Sequence, residues 1–139
     1  MVYIYTAVFE LQEDGVSYYA KVPDVPGCVT TGKDLADAIE QITDALSGCL
    51  VVAEDEGLEI PKPTPQFDIP VPAGGSRSFV KVDTIAYRAM TDTRSSRKNV
   101  SLPVWMINLA DKYNINCSQL LQESLRNVFE NMSKKAAYA

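Results

Sequence analysis

The segment at 97–103, RKNVSLP, has the alternating pattern of a β-strand, yet no second strand follows it in the sequence. Val100 and Leu102 would point to one face of this strand. The other face would carry the polar side chains of Arg97, Asn99 and Ser101. Pro103 ends the strand, and the residues after it have helical spacing. Because a lone strand leaves its backbone N–H and C=O groups without hydrogen-bond partners, this segment requires a partner that the residues after it do not supply.

Two amphipathic helices are predicted after this strand. The apolar spacing at 104–113 predicts the first, and Asn114 can take the left-handed conformation that ends a helix. Asn116 is then a suitable N-cap, with Gln119 at the third helical position as in a capping box. The second helix is predicted to run to about residue 131, with a row of leucines on its apolar face.

Charge is divided unevenly along the chain. Residues 1–75 contain 3 basic and 13 acidic side chains, a net charge of −10, whereas residues 76–139 contain 10 basic and 5 acidic side chains, a net charge of +5. This asymmetry indicates two partners of opposite charge, a basic protein for the first half and nucleic acid for the second. The alternative for the first half is that its acidic side chains only solvate a helix.

The cysteine, histidine and apolar content of the sequence argues against a zinc site and against a membrane protein. Cys28, Cys49 and Cys117 form no CxxC pair and the sequence has no histidine, so we expect buried free thiols and no zinc site. No apolar run is long enough to cross a membrane, and the first residues lack the basic start of a signal peptide. We therefore expect a cytoplasmic protein that binds no cofactor and no membrane.

The first half has the pattern of a small β-sheet. Runs of β-branched and aromatic residues at 2–10 and 16–22 flank a turn at 13–15 and predict a hairpin. A third, short strand is predicted at 28–31, after the turn PDVPGC. Alternation returns at 79–85, which predicts a fourth strand that rejoins the sheet.

A long helix and a polar linker complete this plan. Asp34 is a suitable N-cap, and the apolar residues after it recur at steps of three and four until Gly57, where the helix is predicted to end. Residues 88–96 are polar and weakly patterned. The sequence therefore predicts a first domain at 1–87, a linker at 88–96 and a second domain at 97–139.

The second half resembles the ribbon-helix-helix family of DNA-binding proteins. The resemblance rests on Val100, Leu102 and Pro103, on the stripe of the first helix, and on Asn114 and Asn116. In that family a second copy of the chain supplies the missing strand, and the helices of both copies share one core. The resemblance implies a homodimer, or a higher even-numbered oligomer, whose core contains Val100, Leu102, Trp105, Leu109, Leu121 and Leu125.

The other face of such a ribbon would contact operator DNA. Arginine suits guanine and asparagine suits adenine, and the first N–H groups of the second helix are placed to hold a phosphate. Lys98 departs from the pattern, because a core residue is expected at its position. The residues predicted to bind DNA are Arg97, Lys98, Asn99, Ser101, Asn116, Cys117 and Ser118. A helix-turn-helix and a plain dimerisation hairpin are the alternatives, although the strand favours the ribbon.

The first half contains several specific short motifs, which are Pro23-Asp24, Pro26-Gly27-Cys28, Thr31-Gly32 and Glu56-Gly57 with Ile60-Pro61. With these motifs the first half resembles the HicB antitoxin family. Together with the second half, the resemblance covers nearly the whole chain. It implies an α+β protein in which a partial ribonuclease-H-like sheet with one long helix precedes the DNA-binding module.

This resemblance also implies a function, that of an antitoxin which neutralises a small basic HicA-like mRNA-cleaving toxin and represses its own operon. A toxin that binds RNA must be basic at its active surface, and an acidic domain can attract and cover it. The residues predicted to contact the toxin are Asp24, Pro26, Gly27, Cys28, Glu40 and Asp44. For Pro26, Gly27 and Cys28 the alternative is that they only turn the chain.

Two other functions are compatible with the sequence. One is a stand-alone repressor whose first domain senses a small ligand. The other is a metal-dependent nuclease, which would need converging carboxylates, and the candidates are Glu10, Asp24, Glu40 and Asp44. These carboxylates are better explained as the polar sides of amphipathic elements, and no histidine is present for acid–base chemistry, so no catalysis is expected.

Overall fold

The computed structural model describes residues 1–138, with side chains as far as residue 134. Its strands and helices are β1 (Val2–Leu11), β2 (Tyr18–Lys21), β3 (Val29–Gly32), α1 (Leu35–Asp55), β4 (Gly75–Asp83), α2 (Thr84–Thr91), α3 (Val104–Lys112) and α4 (Cys117–Tyr138). The four strands form one antiparallel sheet in the order β3-β2-β1-β4, and α1 packs across one face of it. The α+β class expected from the sequence is therefore confirmed.

β1 is a central strand and pairs with β4 along nearly its whole length, from Val2 opposite Asp83 to Glu10 opposite Gly75. The predicted hairpin and the short third strand are both confirmed. The fourth strand is present, but the bounds predicted for it, 79–85, are wrong at both ends. The observed strand β4 begins earlier, with the residues GSRS at 75–78, which pair with β1 although they lack an apolar pattern. It also ends earlier, because the chain turns directly into a helix after Asp83.

Alternate residues of β1 point at α1 and form the centre of the core. Tyr5, Ala7 and Phe9 are buried, and they belong to one cluster with the apolar stripe of α1. That stripe contains Ala38, Ile42, Leu46 and Leu50, all fully buried, as the sequence predicts. Because burial of each large apolar side chain contributes about 1.5–3 kcal/mol, this contact between helix and sheet is the main source of stability for the first half.

Both ends of α1 lie where the sequence predicts them. The Asp34 carboxylate accepts a hydrogen bond from the Asp37 N–H at 2.8 Å and caps the N-terminus. At the other end Gly57 has a φ of 65°, and the Leu58 N–H donates to the Ala53 carbonyl at 2.9 Å. Since these interactions join near neighbours in the sequence, local pattern is sufficient to define the bounds of α1.

The proline-rich connector between α1 and β4 is held to the sheet by hydrogen bonds. The Tyr5 hydroxyl donates to the Pro61 carbonyl, and Arg77 of β4 donates to the Ile69 carbonyl at 2.9 Å. Ile69 is itself buried. A single 3₁₀ turn at Gln66–Asp68 interrupts the extended connector that the prolines predict.

A short helix that the sequence pattern does not predict, α2, follows β4 directly. The Asp83 carboxylate caps it by accepting hydrogen bonds from the Ile85 and Ala86 N–H groups at 3.0 and 3.2 Å. Arg88 forms an ion pair with Asp55 at 2.8 Å, which joins α2 to the end of α1. Sequence reasoning missed this helix because Asp83 lies within an alternating strand pattern, where a capping role has no separate signal.

The linker predicted at 88–96 overlaps helix α2. Residues 88–91 of the predicted linker are helical, whereas residues 92–103 form neither helix nor strand and are exposed. The irregular connection is therefore 92–103. The division into domains at 1–87 and 97–139 stays a prediction.

The two C-terminal helices confirm the local signals in the sequence. Asn114 has a φ of 52°, and the Asn116 side chain caps α4 by accepting a hydrogen bond from the Gln119 N–H at 3.1 Å. Helix α4 runs past its expected end to Tyr138, and near Ser133, which is buried, it contacts β1. Of the helices described, none combines the length and apolar content needed to span a membrane.

Candidate DNA-binding and partner-binding surfaces

The second half of the chain has almost no core of its own. Between residues 92 and 132 every side chain is exposed except that of Ala110, which is half-buried. All six residues predicted for the dimer core are among those exposed, and Trp105 is 61% exposed. Folded monomers rarely leave so continuous an apolar surface in water. The apolar stripes of α3 and α4 therefore require a cover.

Five of those six residues converge on one groove. It lies between α3, α4 and the segment before α3, has a volume of about 490 Å³, and we call it the α3–α4 groove. Its walls include Val100, Leu102, Trp105, Leu109 and Leu121. Leu125 is exposed one helical turn beyond Leu121 on α4. The structure thus brings together the apolar residues of the predicted strand and helices within one chain.

The predicted DNA-binding residues fall into two groups. Arg97, Lys98, Asn99 and Ser101 are exposed in the irregular segment 92–103, next to the groove residues Val100 and Leu102. Within the described chain this segment pairs with no strand, so a ribbon can form only with a second chain. Asn116, Cys117 and Ser118 lie at the exposed N-terminus of α4. The Asn116 side chain is occupied there by its capping hydrogen bond.

The turn PDVPGC is held in place by internal interactions. The Asp24 carboxylate accepts two hydrogen bonds from Thr64, one from its N–H at 2.8 Å and one from its hydroxyl at 2.6 Å. Gly27 has a φ of 82°, a backbone conformation that favours glycine, and Pro26 is exposed beside it. The carboxylate of Asp24 therefore joins this turn to the proline-rich connector.

One expectation for the cysteines is confirmed and one needs correction. Cys28 is 1% exposed and packs in the core, as expected of a buried thiol, and its contact with a partner stays a prediction. Burial, with a smaller effect of the neighbouring Cys49, raises the pKa of the Cys28 thiol to about 12. Cys117, which was expected to be buried, is exposed. It lies on a helix whose apolar face is itself uncovered.

Replacing Asp24 by alanine is expected to lower the free energy of unfolding by about 1–3 kcal/mol, because the Thr64 N–H and hydroxyl both lose their acceptor. Urea denaturation at fixed chain concentration measures this. Asp68→Ala, an exposed carboxylate of the same connector, is the control and should change the value by less than about 0.5 kcal/mol. Equal losses in both variants would contradict a role for the contact with Thr64.

Glu40 and Asp44 are exposed on α1 and border a second groove, which we call the α1–α2 groove. It has a volume of about 500 Å³ and lies between α1, β4 and α2. Its apolar walls include Ile39 of α1 and Met90 of α2. Partial burial, and then the Asp44 carboxylate, raise the pKa of Tyr87, which also borders it. The helix that the sequence did not predict thus forms one side of this groove.

The carboxylates considered for a metal site do not form a group. Among the described residues, no cluster of three or more histidine, cysteine, aspartate or glutamate side chains is placed to hold a metal ion. Asp24 is engaged by Thr64, and Glu10 pairs in the sheet opposite Tyr19 and Gly75.

Comparisons with known proteins agree with this fold. A family model described as a HicB-like antitoxin of bacterial toxin–antitoxin systems matches residues 5–125. A chain of a toxin–antitoxin complex from Streptococcus pneumoniae is 20% identical with a TM-score of 0.55, over 91% of this chain and 99% of that one. The antitoxin HicB from Burkholderia pseudomallei is 23% identical with a TM-score of 0.51, over 91% and 98% of the two chains.

The N-terminal domain of that HicB, solved by itself, is 24% identical with a TM-score of 0.51, and it covers 58% of this chain and 99% of its own length. At such identities the structures show a shared fold. A search of curated protein sequences gave no match.

Proposed function

The chain belongs to the HicB-like antitoxin family of bacterial toxin–antitoxin systems, and we propose that it neutralises a HicA-like mRNA-cleaving toxin and represses its own operon by binding operator DNA. The observation that carries this proposal is the family match over residues 5–125, which includes most of both halves of the chain. The two activities are assigned to different halves, the first to residues 1–87 and the second to residues 97–139.

Toxin binding is assigned to the first half because that half is acidic and complete in itself. Its sheet and α1 bury a full core within one chain, and its net charge over residues 1–75 is −10. A protein that cleaves RNA must attract phosphates, so its active surface is basic. An acidic domain accelerates encounter with that surface and, once bound, blocks access of RNA to it.

DNA binding is assigned to the second half because that half is basic and its apolar side chains are exposed in the single chain. A second copy of the chain would supply both the partner strand for 97–102 and the apolar surface that fills the α3–α4 groove. Paired strands would then present Arg97, Asn99 and Ser101 together on one polar face. The net charge of +5 over residues 76–139 favours the phosphates of DNA.

Asn99→Ala is expected to weaken binding to operator DNA by about 1–3 kcal/mol, roughly 5- to 150-fold in Kd, because a base-edge contact is lost. Fluorescence anisotropy with operator and random duplexes at one salt concentration measures it. Asn127→Ala removes the same group from an exposed position on α4 and is the matched control. Equal weakening on both duplexes would contradict base readout, and no weakening would favour the helix-turn-helix alternative.

The proposal as a whole is tested by expressing the chain from its native operon, purifying it and identifying the bound material by mass spectrometry. We expect one small basic protein, which cleaves mRNA when it is released from the complex. A pure homodimer that shifts its own promoter DNA would contradict toxin binding and leave a stand-alone repressor.

A further inference from the structure

We infer that the α1–α2 groove is the docking site for a basic partner segment, in which an apolar side chain enters the groove and flanking lysine or arginine side chains meet Glu40 and Asp44. This inference rests on the proposed function, since it takes the toxin as the occupant. It goes further by naming the surface and the chemistry of the segment that fits it.

The first argument is the shape of the groove and its apolar content. Ile39 is 43% exposed and Met90 is 73% exposed, and the two side chains lie on the facing helices α1 and α2. Ala86 of α2 and Val82 of β4 also border the space. A volume of about 500 Å³ can hold a large apolar side chain of the partner together with parts of the residues that flank it in the partner segment. A partner that fills it would remove both exposed side chains from water.

The second argument is the charge around the groove. Three carboxylates and one ammonium border it, those of Glu40, Asp44, Asp83 and Lys81. Asp83 is engaged in capping α2, which leaves the two exposed carboxylates of α1 one helical turn apart. Such a pair beside an apolar space is complementary to an apolar residue flanked by cations. The charge therefore favours a basic partner over an acidic or neutral one.

The third argument is that the other predicted contact surface, the turn PDVPGC, has no free charged side chain to bind a basic partner. In the turn PDVPGC the Asp24 carboxylate is engaged by Thr64, and the Cys28 side chain is buried. Pro26 and Gly27 are exposed but uncharged. Of the residues predicted to contact the toxin, only Glu40 and Asp44 combine exposure, charge and an adjoining apolar groove.

The test measures binding of the small basic protein from the operon to the full chain and to variants, by surface plasmon resonance. The double variant Glu40→Lys, Asp44→Lys is expected to weaken binding at least about 100-fold, mainly through faster dissociation. Glu56→Lys, Glu59→Lys changes net charge by the same amount at exposed positions outside the groove. This control should slow association and weaken binding less than about 5-fold.

Met90→Ala is the second variant, and it changes no charge. Because Met90 is largely exposed, the fold should be unaffected, while toxin binding weakens about 10-fold. Circular dichroism and a urea transition like that of the unaltered chain show that the first half of each variant is folded. If the groove variants bind the toxin as tightly as the control does, the inference is overturned and the proposed function stands. If the unaltered chain binds no small basic protein, both are overturned, and a change only in oligomeric state would assign the groove to a second copy.

Discussion

A chain that carries Leu102→Asp is expected to be monomeric and to bind no operator DNA. Leu102 borders the α3–α4 groove and is 41% exposed in the single chain, so the carboxylate costs little there. In the proposed dimer the same position is covered by the second copy, and burial of an unpaired charge is strongly unfavourable. Size-exclusion chromatography with light scattering measures the assembly, and an electrophoretic shift measures DNA binding.

The neighbouring residue provides the matched control for this result. Ser101→Asp introduces the same carboxylate one position earlier, on the opposite face of the predicted strand. It is expected to leave the dimer intact and to weaken DNA binding, because the new charge faces the phosphates. Toxin binding should survive in both variants, since it is assigned to the first half. A dimer that persists with Leu102→Asp would contradict the ribbon arrangement.

Gly32→Ala is expected to lower the free energy of unfolding by about 3 kcal/mol or more, the largest stability effect that we predict for the first half. A Cβ atom at Gly32 would lie 2.2 Å from the backbone N of Ala38 and 2.4 Å from its Cα. Helix α1 cannot move away from β3 without opening the core at Ala38 and Ile42, which are both fully buried. Urea denaturation followed by circular dichroism measures the loss.

Gly48→Ala on the same helix is the control for backbone entropy. A Cβ there would have only an ordinary contact, 3.8 Å from the Tyr87 hydroxyl, and alanine favours a helix over glycine by about 1 kcal/mol. This variant should therefore be slightly more stable than the unaltered chain. If both glycine variants changed stability in the same direction, close approach between β3 and α1 would not be the cause of the Gly32 effect.

The parts of the fold that the sequence predicted well depend on near neighbours. Asp34 and Asn116 each accept a hydrogen bond from an N–H group three residues ahead, and Asn114 itself takes the left-handed conformation. The stripe of α1 follows from helical period alone. For this reason the bounds of α1, α3 and the start of α4 could be predicted from residue types and spacing.

The parts that were missed depend on distant partners. Asp24 is engaged by Thr64, 40 positions along the chain, and the residues GSRS join β4 only because β1 lies beside them. For the candidate site, Glu40 and Asp44 could be identified as exposed acids, but the α1–α2 groove beside them exists only because α2 forms. No local pattern indicates α2, since its cap, Asp83, also fits a strand.

Because the surface at 92–132 is uncovered in the single chain, the two proposed activities would depend differently on the concentration of the protein. The first half buries its core within one chain, so its capture of a toxin molecule would rise in direct proportion to the amount of protein. The second half would act only after two chains meet, and at concentrations below the dimer dissociation constant operator occupancy would rise with the square of that amount. A cell with few copies would then be protected from the toxin while the operon is still transcribed, and transcription would stop only once the protein had accumulated.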